Sequence, residues 1–430
     1  MASTHIASIR ARRVFDSRGR PTVEADVVLE SGVVGRAIAP AGASRGSAEA
    51  VDLRDGGPTL AGMDVTRAIA NVEGPIASGL HGADALDQAE VDARLVAIDG
   101  TANKSTLGGN ATVAVSLAVA QAAAAARRMP LWRYLARDDE VRLPLPEIQI
   151  FGGGAHAGRH LDLQDVMIMP VGAGTFAEAL VMVADVYRAA GELLAAEGRL
   201  AGVADEGGYW PRFAKNVEAL DTCMRAIERA GLRAGSEVAL SIDVAASELG
   251  RNGRYRLALD DRTLDRGDLA RLLSDWIARY PIASIEDPFG EDDRQAWIAF
   301  TAAVGKRVQI IGDDYLTTSA MRVDAAAADA ACNALLVKPN QAGTLTETRA
   351  AFDAARRAGF ATIVSARSGE TEDVFIAHLA VGWNAGQLKV GSFTRGERMA
   401  KWNEVLRIEE SLGAGATFAG AGALAVRWPS

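Results

Sequence analysis

Leu335-Leu336-Val337-Lys338-Pro339-Asn340 is an apolar run that stops on a lysine and is closed by a proline. Proline has no N–H to give a sheet, so the segment reads as a short buried strand with Lys338 at its tip. Residues 238–243, 282–286, 308–313 and 360–367, and Leu388 with Lys389, are built the same way, each placing a charge where the apolar run ends. Helical stripes lie between them. Val217, Leu220, Met224 and Ile227 recur at helical spacing before Gly231, and Leu269, Leu272, Leu273, Trp276 and Tyr280 do so before Pro281. Thr344 and Glu347 have capping-box spacing ahead of a third helix that Gly359 can terminate. Strands alternating with helices predict a parallel sheet, and the length from residue 141 onward suits a closed β/α barrel of ~250 residues. In such a barrel the C-terminal strand ends surround the active site, where Asp243, Glu286, Asp313, Lys338, Arg367 and Lys389 would converge.

Upstream the pattern changes. Val23, Ala25, Val27 and Leu29 alternate with Thr22, Glu24 and Asp26, as in a strand buried on one face, and Ser31-Gly32 turns the chain back into residues 33–38. Residues 40–47 are small and glycine-rich without periodicity, which predicts a mobile surface loop. Residues 65–134 carry mainly helical signals, so the first domain is α+β. Polar residues followed by Pro144 and Pro146 put the boundary near 140, dividing the chain into an N-terminal α+β capping domain, 1–140, and a C-terminal β/α barrel, 141–430.

The 430 residues, 49% hydrophobic and 23% charged, are of ordinary globular composition and long enough for two cores. A formal charge of -9 offers no basic surface for nucleic acid. Cys223 and Cys332 cannot make a framework of disulfides, which points to a reducing compartment, and residues 1–13 lack the apolar core of an export signal. The expectation is a cytoplasmic protein with no membrane partner. Residues 111–126 are mostly alanine, fall short of a bilayer span and read as a buried helix.

Asp243, Glu286 and Asp313 on successive strand ends would repel one another unless a cation lies between them, and oxygen ligands without cysteine or histidine favour Mg²⁺ over Zn²⁺. Taken singly, each acid equally well caps the helix after its strand. Lysines at strand ends are usually solvated; beside Lys389 and a metal, however, Lys338 would have a lowered pKa and serve as a general base. Arg367 with Ser368, before Gly369, offers a forked donor and a hydroxyl suited to phosphate, or else a surface turn. Glu206 stands in Asp205-Glu206-Gly207-Gly208, which by itself marks only a turn. Gly152-Gly153-Gly154-Ala155-His156-Ala157 formally fits a dinucleotide fingerprint, but residues 161–169 read as a strand where that motif needs a helix. His156 and His160 have helical zinc-ligand spacing that Gly158 argues against.

Specific motifs run through both halves. They include Phe15-Asp16-Ser17-Arg18-Gly19, Gly42-Ala43-Ser44, Asp99-Gly100-Thr101, Asp205-Glu206-Gly207-Gly208, Asp243-Val244-Ala245-Ala246-Ser247-Glu248, Ser284-Ile285-Glu286-Asp287-Pro288, Gly312-Asp313-Asp314, Arg367-Ser368-Gly369-Glu370-Thr371-Glu372-Asp373 and Leu406-Arg407-Ile408-Glu409-Glu410. In these the chain resembles enolase, phosphopyruvate hydratase, from end to end. The resemblance implies a Mg²⁺-dependent carbon–oxygen lyase interconverting 2-phospho-D-glycerate and phosphoenolpyruvate plus water, working as a homodimer. It implies that Asp243, Glu286 and Asp313 hold one Mg²⁺, and that Ser44 joins a second when its loop closes, two ions per active site. Lys338 would take the C2 proton, Glu206 would protonate the departing hydroxyl, and Asp165 would support it. Lys389 would bind the substrate carboxylate and Arg367 and Ser368 its phosphate, with His156 and Gln164 lining the site.

The chain also departs from the family pattern, which usually has glutamate at Asp165, histidine at Ala366, serine at Ala41, threonine at Arg45 and asparagine at Phe151. The first two lie where the family supports the leaving hydroxyl. Three functional readings follow: an enolase; a paralogue acting on another phosphorylated or phosphonate acid, of the carboxyphosphoenolpyruvate synthase type; and a non-catalytic binding or scaffold protein that keeps the fold.

Overall fold

The structure is a computed structural model that describes residues 3–138 and 140–429. Strands β1 (Ile6–Phe15), β2 (Pro21–Leu29) and β3 (Val34–Ile38) form an antiparallel sheet in that order. Gly32, at φ +81°, supplies the left-handed turn before β3. Alternation predicts one buried face for β2, but Glu24 and Asp26 are buried as well. Arg12 and Arg36 from the flanking strands lie over these carboxylates as ion-pair partners and exclude water from them.

Helix α1 (Gln88–Asp99) packs on α2 (Gly109–Ala126), and α2 packs on β2 and β3. The alanine-rich α2 is long and apolar enough to cross a bilayer, yet most of its surface is buried inside the protein. Small side chains bring its backbone close to the sheet: a Cβ on Gly35 would lie 2.1 Å from the Ala118 carbonyl oxygen and 2.3 Å from the Ala122 nitrogen.

Among the described residues, eight strands close the barrel: β4 (Leu145–Gly152), β5 (Asp165–Met169), β6 (Ala239–Asp243), β7 (Ile282–Glu286), β8 (Gln309–Gly312), β9 (Ala334–Val337), β10 (Ala361–Ser365) and β11 (Gly386–Ser392). Each pairs with the next and β11 returns to β4. Helices α3 (Phe176–Ala196) and α4 (Val217–Arg229) precede β6; α5 (Arg266–Arg279), α6 (Arg294–Val304), α7 (Ala320–Ala328), α8 (Leu345–Arg357) and α9 (Phe375–Gly382) fill the later crossovers, and α10 (Gly396–Leu412) follows β11. The striped and capped segments are α4, α5 and α8, and Thr344 caps α8 by accepting from the Glu347 N–H.

The sheet is not wholly parallel as the alternation predicts. β5 runs antiparallel to both β4 and β6, because residues 153–164 carry only a short 3₁₀ turn and no crossover helix. This reversal sets Asp165, the first residue of β5, beside Gly152 and Asp243, the last residues of its neighbours. The opposite end of the barrel is plugged by the C-terminal tail. Leu424 packs with Leu145, Met169, Ala239 and Ala283, and Gln309 Oε1 accepts the Ala425 N–H at 3.1 Å.

Gly35→Ala should destabilise the N-terminal domain by about 1–3 kcal/mol, because the clash is with helix backbone that cannot rotate away. A lowered thermal or urea midpoint is the expected reading, and an unchanged one would contradict the close approach.

Candidate active site

The charged strand ends meet at one mouth of the barrel. Asp243 and Glu286 are the last residues of β6 and β7, Asp313 and Lys338 directly follow β8 and β9, and Arg367 and Ser368 lie just past β10. Lys389 sits within β11, opposite Ser365 on one side and Glu147 on the other. A small cavity here is bordered by Lys338, Lys389, Arg367, Glu206, Asp165 and Ser44. Ser368, His156, Gln164 and Asp243 also reach it, while Glu286 and Asp313 lie behind the two lysines.

Negative charge dominates the wall of β5, β6 and β7. The buried Lys389 Nζ is 2.8 Å from Glu286, 3.2 Å from Asp243 and 3.4 Å from Asp165. Burial would lower its pKa, but the Asp243, Glu286 and Asp165 carboxylates outweigh that and hold it well above the usual lysine range. One lysine does not satisfy them all. Burial, then Asp243, push the Glu286 carboxyl well upward, and its Oε1 is buried without a hydrogen-bond partner. An orphaned carboxylate oxygen within an oxygen-only donor set fits a hard divalent cation. Asp313 also lies with Asp287 and Asp314 in a cluster whose ligand atoms fall within 4.8 Å of one another. Asp287 already accepts the Asp313 and Asp314 N–H groups at 2.9 and 2.8 Å, so it shapes that turn.

The expected lowering of the Lys338 pKa is not what the protein groups produce. Burial is the strongest single influence and lowers it, as do Arg367 and Lys389, but the carboxylates of Asp313 and Glu286 together leave the net direction upward. Neighbouring cations alone would lower it; direct contact with Asp313, which sequence spacing does not reveal, works the other way.

Across the cavity, Glu206 hangs from a hairpin whose backbone is tied to β11 by the Ser392 N–H, which donates to the Glu206 carbonyl at 2.9 Å. His156 stands between two acids, Nε2 3.7 Å from Glu206 and Nδ1 3.5 Å from Asp165. Burial opposes its protonation, but Glu206 and Asp165 raise its pKa overall. Asp165 is held ionised, since Lys389 and His156 overcome its own burial, and Gln149 donates to it. Gly158, at φ +58°, breaks any helical spacing of His156 and His160, and the His160 ring packs on Trp210 at 5.2 Å instead. Ala366 reaches the cavity with nothing beyond its Cβ.

Residues 40–47 are docked rather than loose, correcting the expectation of a mobile surface loop. Ala41 and Gly369 exchange backbone hydrogen bonds at 3.0 and 2.9 Å, the Ala43 N–H donates to Ser368 Oγ at 2.8 Å, and Arg367 Nη2 donates to the Ser44 carbonyl at 3.0 Å. Gly42 permits this, because a Cβ there would lie 2.0 Å from Arg367 Nη2. The partners of Arg367 were not anticipated. Its Nη1 is 2.9 Å from Glu49, and Gln341 donates both to Glu49 at 3.2 Å and to Asp313 at 2.9 Å, linking the phosphate-type site to the acidic wall. Glu49 is 318 positions from Arg367, and no local spacing announces such a pair. Glu147, fully buried inside the barrel and bonded by Ser241, was also missed; its place in an apolar-looking strand was the available signal.

Comparison with known families agrees with this architecture. Residues 6–135 match the model of the enolase N-terminal domain, and residues 140–426 match that of the enolase C-terminal TIM barrel domain. Matches over nearly the whole length, on a chain whose barrel mouth gathers acids and lysines, place the protein in the enolase family of divalent-metal-dependent lyases.

Proposed function

We propose that the protein interconverts 2-phospho-D-glycerate and phosphoenolpyruvate plus water in the cytoplasm, as a homodimer. The observation that carries this reading is that Lys338 and Glu206 border one cavity together with two separate anion-binding groups, Lys389 and Arg367–Ser368. Lys389 orients the substrate carboxylate, and the Arg367 guanidinium with the Ser368 hydroxyl orients the phosphate. Lys338 Nζ receives the C2 proton. Glu206 gives a proton to the C3 hydroxyl, which leaves as water as the C3–O bond breaks and the C2–C3 double bond forms. Asp243, Glu286 and Asp313 would hold one Mg²⁺ and Ser44 would join a second. When bound, these ions supply positive charge where the substrate carboxylate becomes more negative, which makes an otherwise scarcely acidic C2–H removable. Asp313, engaged as a metal ligand, would leave Lys338 free to act as a neutral base. His156 and Asp165 hold the charge around Glu206.

A second reading keeps proton abstraction but changes the acid. Ala366 leaves that part of the cavity wall without a polar side chain, and Asp165 is one methylene shorter than glutamate, so both favour a phosphorylated or phosphonate acid that is bulkier around C3.

Purified protein with Mg²⁺ and 2-phosphoglycerate should develop the ultraviolet absorbance of phosphoenolpyruvate, and EDTA should abolish it reversibly. No absorbance at high enzyme concentration would rule out the first reading. Lys338→Ala should lower turnover by about 10³-fold or more and stop exchange of the C2 proton with deuterated water. Glu206→Gln should lose elimination and keep the exchange. Wild type that exchanges C2 without eliminating, and eliminates only after Ala366→His, would favour the second reading.

A further inference from the structure

Arg398, in the first turn of α10, is 0% exposed and has no place in the chemistry above. Its guanidinium is spent on backbone carbonyls. Nη1 donates to the Arg367 carbonyl at 2.7 Å and to the Val390 carbonyl at 3.3 Å, and Nη2 donates to the Ser368 carbonyl at 2.6 Å. The remaining contact, Nε to Glu397 Oε1, is 3.3 Å. Arg367 and Ser368 carry the phosphate-type donors, and Val390 directly follows Lys389, the carboxylate-type donor. One planar side chain thus bonds the main chain under both anion-binding groups, one within β11 and the other just past the end of β10.

From this fork we infer that Arg398 is a positioning residue that fixes the separation of Lys389 from Arg367 and Ser368, so that the site selects acids carrying a carboxylate and a phosphorus oxyanion at a set spacing. This rests on the functional reading given above. Two features favour it over a purely structural role. Its carbonyl partners belong to, or adjoin, the residues that hold the ligand. Its geometry also needs a fork: three carbonyls on two segments match the fixed plane of a guanidinium, whereas a lysine is a single point of charge. Gly391 keeps the space open, since a Cβ there would lie 3.2 Å from the Arg398 Cδ.

The test is calorimetry with phosphonoacetate, which carries both anions, in the presence of Mg²⁺. Arg398→Lys should bind it at least tenfold more weakly than wild type. Phe176→Leu, which loosens the contact of α3 with Trp402 of α10 and touches none of these carbonyls, is the destabilised comparator and should lower the melting temperature while keeping wild-type affinity. Arg398→Ala, measured with and without methylguanidinium, guards against a lysine variant that fails to fold. Recovery of phosphonoacetate affinity on adding methylguanidinium supports the inference. Recovery of the melting temperature without affinity, or Arg398→Lys with wild-type affinity, overturns it. Wild type that does not bind phosphonoacetate at all would overturn the functional reading, and this inference with it.

Discussion

Buried carboxylates gathered at the mouth of the barrel are the constraint on which the site depends. Asp165, Asp243 and Glu286 share Lys389 as their cation, while Asp313 holds Lys338. Charges of one sign in a poorly solvated site are tolerated only when compensated. Here the two lysines compensate in part, and Glu286 Oε1 still lacks a partner. Electrostatic need therefore links Asp165, Asp243, Glu286, Asp313, Lys338 and Lys389 into one system, in which a change to any member alters the protonation of the others.

The second organising device is the docking of the N-terminal domain onto the barrel. Glu49 and the backbone of residues 41–44 come from the first domain, and Arg367, Ser368 and Gly369 from the second. Gln341 joins Glu49 to Asp313, so the phosphate-type donors and the acidic wall are set by one hydrogen-bonded chain of side chains across the domain interface. Preorganisation of this kind lets fixed charges act without reorganising as the reaction proceeds.

The site has two unequal halves. Around Lys338 and Lys389 the acids Asp165, Asp243, Glu286 and Asp313 crowd together as ion-pair partners. Around Glu206 the support is thinner: His156 and Asp165 stand near it, but Ala366 adds no polar group. On the proposed reaction, proton abstraction and departure of the hydroxyl are separable steps, so the choice between the two proposed substrates turns on this second half.

Much of this was legible locally. Apolar runs ending on Asp243, Glu286, Asp313 and Lys338 marked the strands, their order and the mouth of the barrel, because strand periodicity and the C-terminal placement of barrel sites are properties of short segments. Thr344 with Glu347 marked the start of α8 for the same reason. Other features depend on approach in space. The docking of residues 40–47 and the Glu49 partner of Arg367 join segments far apart in the chain, and the reversal of β5, the covering of Glu24 and Asp26 by arginines from neighbouring strands, and the carbonyl partners of Arg398 join nearer segments whose meeting no local pattern announces. The upward shift of Lys338 belongs with them, since a pKa is set by the sum of fields at one atom and no one segment of sequence contains that sum. Sequence alone determined which chemical groups stand at the strand ends; only the tertiary structure decided which of them neutralise one another, because electrostatic and hydrogen-bond energies depend on distance in space and not along the chain.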